Sequence, residues 1–549
     1  SYSPLAVSLV FVVPALGGFL FGYDIAATSF VLQALVSTTS NDSSSWTRVI
    51  ASSAAWQGLI VSLSSLGAWI SSWYMFRLSS SSSSNSNNEP SSNNNKNQMM
   101  GRRTELQLGA LLYMAGAALE GSAGHIHFSW GLFRWVGLLV FLVGRLIYGF
   151  GIGIAMHAAP TYLGEMCPSS IRGLLVSLKE ACIVLGMVLG YTIGNAADHH
   201  WSLIYFSTLG ASGIMWILAT FAIPESARYL LLQNPLKYEQ QALLSLEFVF
   251  PQGPYALEQL REIQASLQQE EQVVGRTTPL QVSSGNDSNA PPSSSSSSSP
   301  WSTLLHPQYR LPLTAGLGLV LLQQVTGQPS VLSYATQILQ QAGLTGSAAI
   351  PIALFKLVAT LIAASTVETF GRVQLLGTGC SLMLVALVLL SLSFSSVVEL
   401  PKGLVLGALF LYIGGYQVGF GPITWLMTSE VFPLAIRGQA VALAVQFNFL
   451  FNAAVQFGVP VLQQAVGLSW TFGIFALLDL YSLYFIRTFV PETKGLSLEE
   501  IEEKFGRMTR GSSRDEPVAQ QGSMTQNRTT ALTEPLLQSA PTNYETNGE

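Results

Sequence analysis

The stretch PTYLGEMCPSSIRG at residues 160–173 returns in altered form as WLMTSEVFPLAIRG at residues 425–438. Four positions hold register: Glu165 with Glu430, Pro168 with Pro433, Arg172 with Arg437 and Gly173 with Gly438, each pair 265 residues apart. Two shorter echoes accompany it. Gly101-Arg102 recurs as Gly371-Arg372, and Pro224-Glu225-Ser226 as Pro491-Glu492-Thr493, in the same order and at nearly the same offset. Three ordered echoes at closely similar offsets mark a duplicated unit. The chain is therefore read as two equivalent halves.

Composition says what those halves face. Of 549 residues, 49% are hydrophobic and only 10% charged, against about 25% charged in soluble domains. With mean hydropathy at +0.40, much of the surface is expected to meet lipid. A net charge of −5 argues against a nucleic-acid partner. Cys167, Cys182 and Cys380 lie in or beside apolar runs without metal-ligand spacing. No metal, cofactor or catalytic residue is expected. The absence of a Gly-x-x-x-x-Gly-Lys-Ser/Thr loop disfavours an ATP-driven pump.

A membrane-crossing helix needs about 20 mostly apolar residues, and the pattern predicts twelve. They fall at about 5–36, 49–76, 104–124, 131–158, 172–196 and 202–223, then 310–342, 346–369, 373–396, 402–430, 437–463 and 467–490. The expected fold class is an all-α integral membrane protein of two six-helix halves, residues 1–224 and 310–495, with a helical cytosolic linker. That linker, 225–309, mixes Leu with Glu, Gln and Arg at helical spacing before a Ser-rich run, and 496–549 is read as a cytosolic tail. The Ser/Asn insert at 78–98 holds too little apolar surface to offset its ordering entropy and is expected to be disordered. Lys and Arg concentrate beside Arg102, Arg172, Arg228, Arg372, Arg437 and Lys494, which places those loops and both termini in the cytosol. Parallel repeats of this kind bind their substrate between the halves at midplane and work by rocking. The architecture implies a carrier.

The residues now carry a family resemblance over nearly the whole chain. GGFLFGYD at 17–24, the two repeats, Pro224-Glu225-Ser226-x-Arg228, Gln323-Gln324-x-x-Gly327, Gly421-Pro422-x-x-Trp425 and PETKG at 491–495 resemble the sugar-porter signatures of the major facilitator superfamily. SLKE at 177–180 and GQPSVL at 327–332 are similar to the plant vacuolar and plastid D-xylose–proton symporter-like carriers. The resemblance implies a monosaccharide and a proton as substrates and a functional monomer in the bilayer. It leaves open which sugar moves and whether the membrane is vacuolar, plastid or plasma. A passive uniporter or a non-transporting sugar sensor are the alternatives. The chain opens at Ser1, so an upstream targeting segment is also left open.

The site residues follow. Asp24 and Arg145 are the ionisable pair set deepest in the first-half spans, and an intramembrane acid is a functional candidate by default. Proton-coupled relatives carry an acid where Asp24 stands, passive ones a neutral residue. For a polar, uncharged sugar, Gln323, Gln324 and Asn448 offer amide hydrogen bonds and Trp425 an aromatic face. Gly421, before Pro422, is expected to loosen its helix beside that Trp. Three positions depart from the family, with Glu180, Lys356 and Pro329 standing where glutamine, asparagine and asparagine are typical. Glu180 and Lys356 are read either as a pair across the cavity or as Lys179 neutralising Glu180 while Lys356 reaches toward the surface. Arg102, Arg103, Glu165, Arg172, Glu225, Arg228, Glu368, Arg372, Glu430 and Arg437 are expected to form a cytosolic gate. Its first-half part is expected to be weaker, lacking the acid that usually precedes Gly-Arg-Arg.

Overall fold

The computed structural model describes residues 2–37, 45–84, 100–125, 135–197, 200–251, 253–276, 304, 306–366, 370–395, 401–433, 436–496 and 498–511. Contacts divide the chain into a unit Ser1–Phe505 and a second unit Gly506–Glu549. Lipid cannot satisfy a backbone N–H or C=O, so a spanning segment must pair its own. Over the described residues all twelve predicted spans are mainly helical. The first half runs through Pro4–Ser37, Ala54–Ser84, Arg102–Ala123, Val136–Met166, Ser169–Ala197 and a bent sixth span, Trp201–Phe206 with Thr208–Phe221. The second half comprises a seventh span in three pieces, then Ala349–Thr366, Arg372–Ser393, the broken pair Lys402–Val418 and Phe420–Val431, and Arg437–Phe489. Gly467, at φ 83°, divides that last helix into spans eleven and twelve.

Nine helical stretches among the described residues are individually long and apolar enough to cross a membrane. They leave out the third and seventh spans, and each omission has a cause. The third carries Arg102, Arg103, Glu105 and Glu120. The seventh breaks into Arg310–Val325, Gln328–Ser333 and Ala335–Gln341. Its first break is fixed by Gly327 at φ 94°, a left-handed conformation open mainly to glycine. A Cβ there would also fall 2.6 Å from the Phe475 ring.

The tenth span breaks at Gly419, two residues before the expected Gly421-Pro422. Proline has no N–H and its ring crowds the carbonyl four residues back, here Val418, so the strain is relieved upstream of Pro422.

Three linker helices follow the first half: Ala227–Gln233, Pro235–Val249 and Gly253–Arg276. Ser226 Oγ accepts the Tyr229 N–H at 3.3 Å and Asn234 Oδ1 the Lys237 N–H at 3.1 Å, satisfying donors that a helix start leaves open. Leu231, Leu246, Val249 and Leu260 are buried in the same apolar cluster as first-half residues.

One boundary differs from the expectation. The second span's helix continues to Ser84, so the opening of the expected disordered insert is helical, because propagating a long helix is cheaper than nucleating one. From residue 85 to 99 the insert lies outside the described residues, as do most of the Ser-rich end of the linker and Glu368. The tail opens with the amphipathic helix Leu498–Gly511, whose Ile501 and Phe505 are buried.

Candidate functional site

Asp24 and Arg145 meet. Arg145 Nη1 donates to Asp24 Oδ1, with Arg145 1% and Asp24 3% exposed. The rest of the guanidinium is occupied as well. Nε donates to the Ile60 carbonyl at 3.1 Å and Nη2 to Ser64 Oγ at 2.9 Å. Glu120 Oε1 stands 3.8 Å from Arg145 Nη1, so the first four spans all reach one buried guanidinium. Glu120 was not among the expected site residues. Burying a charge is tolerable only when it is paired and hydrogen-bonded. This cluster meets that condition at Arg145 through three spans besides its own.

The amide site forms around the broken seventh span. Gln323 Nε2 donates to the Phe420 carbonyl at 2.9 Å, just past the break in the tenth span. Gln324 Nε2 donates to Asn448 Oδ1 at 2.6 Å, and Asn452 Nδ2 returns a bond to Gln324 Oε1 at 3.1 Å. Gln456 continues the row, donating to Ser333 Oγ at 3.2 Å. Asn448, Asn452 and Gln456 recur every four residues, so they share one face of the eleventh span. That spacing was visible in the sequence, although only Asn448 was expected. Ser65 Oγ lies 2.8 Å from Asn452 Oδ1 and 3.1 Å from Gln456 Oε1. The first half thereby touches the amide row through the residue next to Ser64. Trp425 and Gly421 sit half-buried on the lower piece of the tenth span.

In this state the cross-cavity pair is not formed. Glu180 Oε1 is 3.0 Å from Lys179 Nζ. Lys356 is only 6% exposed and so does not reach the surface either. Its ammonium stands over the Tyr416 ring, 5.6 Å from the centroid. The electron-rich ring face offers a buried cation partial compensation, and Glu180 stays within electrostatic reach of Lys356 without a direct contact.

The basic rim explains the sequence repeats. Glu225 Oε1 accepts the Arg103 and Ser226 N–H groups, each at 3.0 Å. In the second half Glu492 accepts the Arg372 N–H at 2.8 Å and the Val373 N–H at 3.0 Å. Each Pro-Glu-Ser/Thr thus supplies the carboxylate that caps the first turn of a Gly-Arg helix, where the dipole favours negative charge. The glycine is needed for the approach, since a Cβ on Gly371 would sit 2.6 Å from Glu492 Oε2. Hydroxyls complete the symmetry. Ser226 donates to Glu165 and Thr493 to Glu430 at 2.6 Å.

Among the described residues, Arg102 pairs with Glu105 at 3.1 Å and Glu165 at 3.8 Å within the first half, and Arg372 with Glu430 at 3.1 Å within the second. Glu105, which also meets His157 Nδ1 at 2.9 Å, follows Gly101-Arg102-Arg103 rather than preceding it. Arg103 turns instead to the Ala219 carbonyl at 2.9 Å, and Arg437 to the Phe432 carbonyl at 3.0 Å. Arg228 is within electrostatic reach of Glu165. The side chain of Arg172 lies outside the described residues.

The two capping acids titrate differently. Burial pushes the Glu225 carboxyl up, against the N–H groups of Arg103 and Ser226. Burial acts upward on Glu492 too, but four N–H groups, from Lys494, Arg372, Val373 and Thr493, outweigh it and hold that carboxyl below the ordinary 4.5. A depressed carboxyl stabilises the fold above its unfolded value and loses that contribution as pH falls through its folded one. Glu492→Gln is therefore expected to lower the melting temperature at pH 7 more than Glu225→Gln does. Thermal scans should show that gap closing as pH drops below the ordinary glutamate value.

A helical protein of twelve spans, with buried charge between its spans and a broken helix at its centre, is a multi-pass membrane carrier. Residues 95–505 match the family model described as "Sugar (and other) transporter", and the chain belongs to that family. It is 38% identical to "D-xylose-proton symporter-like 3, chloroplastic" of Arabidopsis thaliana over 524 residues, covering 92% of this chain and 83% of that one. It is 32% identical to the "Major myo-inositol transporter IolT" of Bacillus subtilis over 382 residues, 67% and 74% of the two chains. The fold is similar to the inward open conformation of the xylose transporter XylE from E. coli, with TM-score 0.69 and 24% identity, over 91% of this chain and 99% of that one. The protein is thus a transporter of the major facilitator fold and no enzyme.

Proposed function

We propose that this transporter is a proton-coupled monosaccharide symporter, a monomer working by alternating access, with Asp24 and Arg145 as the coupling pair and the Gln323–Gln324–Asn448 row as the sugar site. One observation carries the reading. Adjacent residues of the second span serve both places, Ser64 receiving Arg145 and Ser65 meeting Asn452 and Gln456. A proton on Asp24 weakens its hold on Arg145, and the second span transmits the change to the amide row across the half-to-half boundary. The names of the Arabidopsis relatives, which mention xylose and proton symport, agree with this substrate class.

The halves are hydrogen-bonded toward the end opposite the basic rim. Ser29 Oγ meets Thr336 Oγ1 at 2.9 Å, and the Tyr191 hydroxyl donates to the Leu332 carbonyl at 2.7 Å. We take this as the inward-facing state, in which the rim networks of the two halves stand separately and meet when the carrier turns outward.

The test is uptake of labelled xylose and glucose into proteoliposomes. Accumulation above the external concentration under an imposed pH gradient, and mere equilibration without one, is the expected result. Equal equilibration in both conditions would make the protein a uniporter. Binding locates the sugar site separately. Gln324→Ala leaves Asn448 and Asn452 without their partner and is expected to weaken sugar affinity by about 1–3 kcal/mol, read by titration calorimetry. Unchanged affinity would move the site elsewhere.

A further inference from the structure

Glu120 is a buried acid that the coupling pair leaves unassigned. It lies in the third span at 0% exposure, and among the described residues neither carboxylate oxygen has a hydrogen-bond partner. Among the described residues its ion-pair contact is Arg145 Nη1 at 3.8 Å, on the nitrogen that also holds Asp24. Two carboxylates share one guanidinium, so with both ionised the cluster carries a net negative charge inside the protein, and one proton makes it neutral. The surrounding groups do not change that count. Tyr113 lies on Glu120's own span, Tyr148 on the fourth, Tyr205 on the sixth and Tyr23 with Asp24 on the first, all buried phenols apart from the aspartate. Close packing holds the carboxylate in place: a Cβ on Gly144, beside Arg145, would sit 2.9 Å from Glu120 Cγ.

We propose that Glu120 is the alternate seat of Arg145, taking the guanidinium when a proton neutralises Asp24. In the deprotonated carrier Arg145 is held by Asp24, with Glu120 standing off at 3.8 Å. When the proton arrives at Asp24, its hydrogen bond to the guanidinium weakens and Arg145 moves toward Glu120. The proton can then load without leaving a buried cation unpaired, a state that would cost several kcal/mol. The inference rests on Asp24 being the coupling acid and adds a second acid to that machinery.

Two measurements test it. In Glu120→Gln the alternate seat is gone, so protonating Asp24 strands Arg145, and the Gln also removes a nearby negative charge. Both effects make the proton harder to load. The half-maximal pH of gradient-driven uptake is expected to move about one unit toward acid. The second measurement is thermal and does not depend on transport. Asp24→Asn keeps Arg145 paired with Glu120, whereas Asp24→Asn with Glu120→Gln leaves it no acid. The double variant is expected to melt about 2–4 °C below the sum of the two single effects. An unshifted pH profile in Glu120→Gln, or additive melting losses, would overturn the shared seat. If instead Asp24→Asn still accumulates sugar uphill, it is the coupling role of Asp24 that fails, and the melting comparison still decides whether Arg145 is shared.

Discussion

Asp24→Asn is expected to bring the sugar accumulation ratio down to one while leaving exchange of sugar across the membrane intact. The amide mimics a permanently protonated acid. It still fits the buried site and can still accept from Arg145, but it cannot pick up and release a proton in each cycle. One charge crossing 100 mV is worth about 2.3 kcal/mol, which supports roughly 50-fold accumulation in the parent protein. Counterflow of labelled sugar in proteoliposomes, with and without a proton-motive force, separates the two functions. Uphill uptake surviving in Asp24→Asn would place the coupling acid elsewhere.

Arg145→Ala is expected to be the most damaging single change in the first half. It removes a side chain 1% exposed whose donors serve Asp24, Ile60 and Ser64. The loss leaves Asp24 and Glu120 together in a dry site without a cation. Breaking a buried pair in this way costs about 3–5 kcal/mol, partly recovered if one acid takes up a proton. Melting temperature in detergent and detectable yield both fall, and uphill uptake is lost. Arg145→Lys restores the charge but not the three-way donation to Asp24, Ile60 and Ser64, so it is expected to recover stability only in part. A melting temperature for Arg145→Ala within a degree of the parent would show that the cluster contributes little to the fold.

The spans and their duplication could be read from the sequence because lipid imposes a length and a composition on every crossing helix, and because Glu165, Arg172, Glu430 and Arg437 kept their register. What the repeats do could not be read. That Glu225 and Glu492 cap the helices opened by Gly101-Arg102 and Gly371-Arg372 depends on segments about 120 residues apart meeting in space. Asp24 and Arg145 stood out as charges in apolar runs. Glu120 did not, since a lone acid in the small-residue stretch before Gly121 resembles a helix end until the fourth span is packed against it. Asn452 and Gln456 were within reach, because four-residue spacing from Asn448 puts them on one face. The partner of Glu180 was not, because Lys179 and Lys356 are both reachable by a flexible side chain and only packing chooses between them.

Coupling is tested most directly by letting sugar drive protons. Proteoliposomes carrying the pure protein, clamped at zero voltage and loaded with a pH-sensitive dye, are given xylose or glucose outside with no pH difference imposed. If Asp24 and Arg145 bind sugar and proton movement into one cycle, the lumen acidifies as the transported sugar enters. The acidification stops when the sugar gradient is spent and is absent in Asp24→Asn. Sugar entering at full rate with no change in internal pH would contradict symport and leave a facilitator.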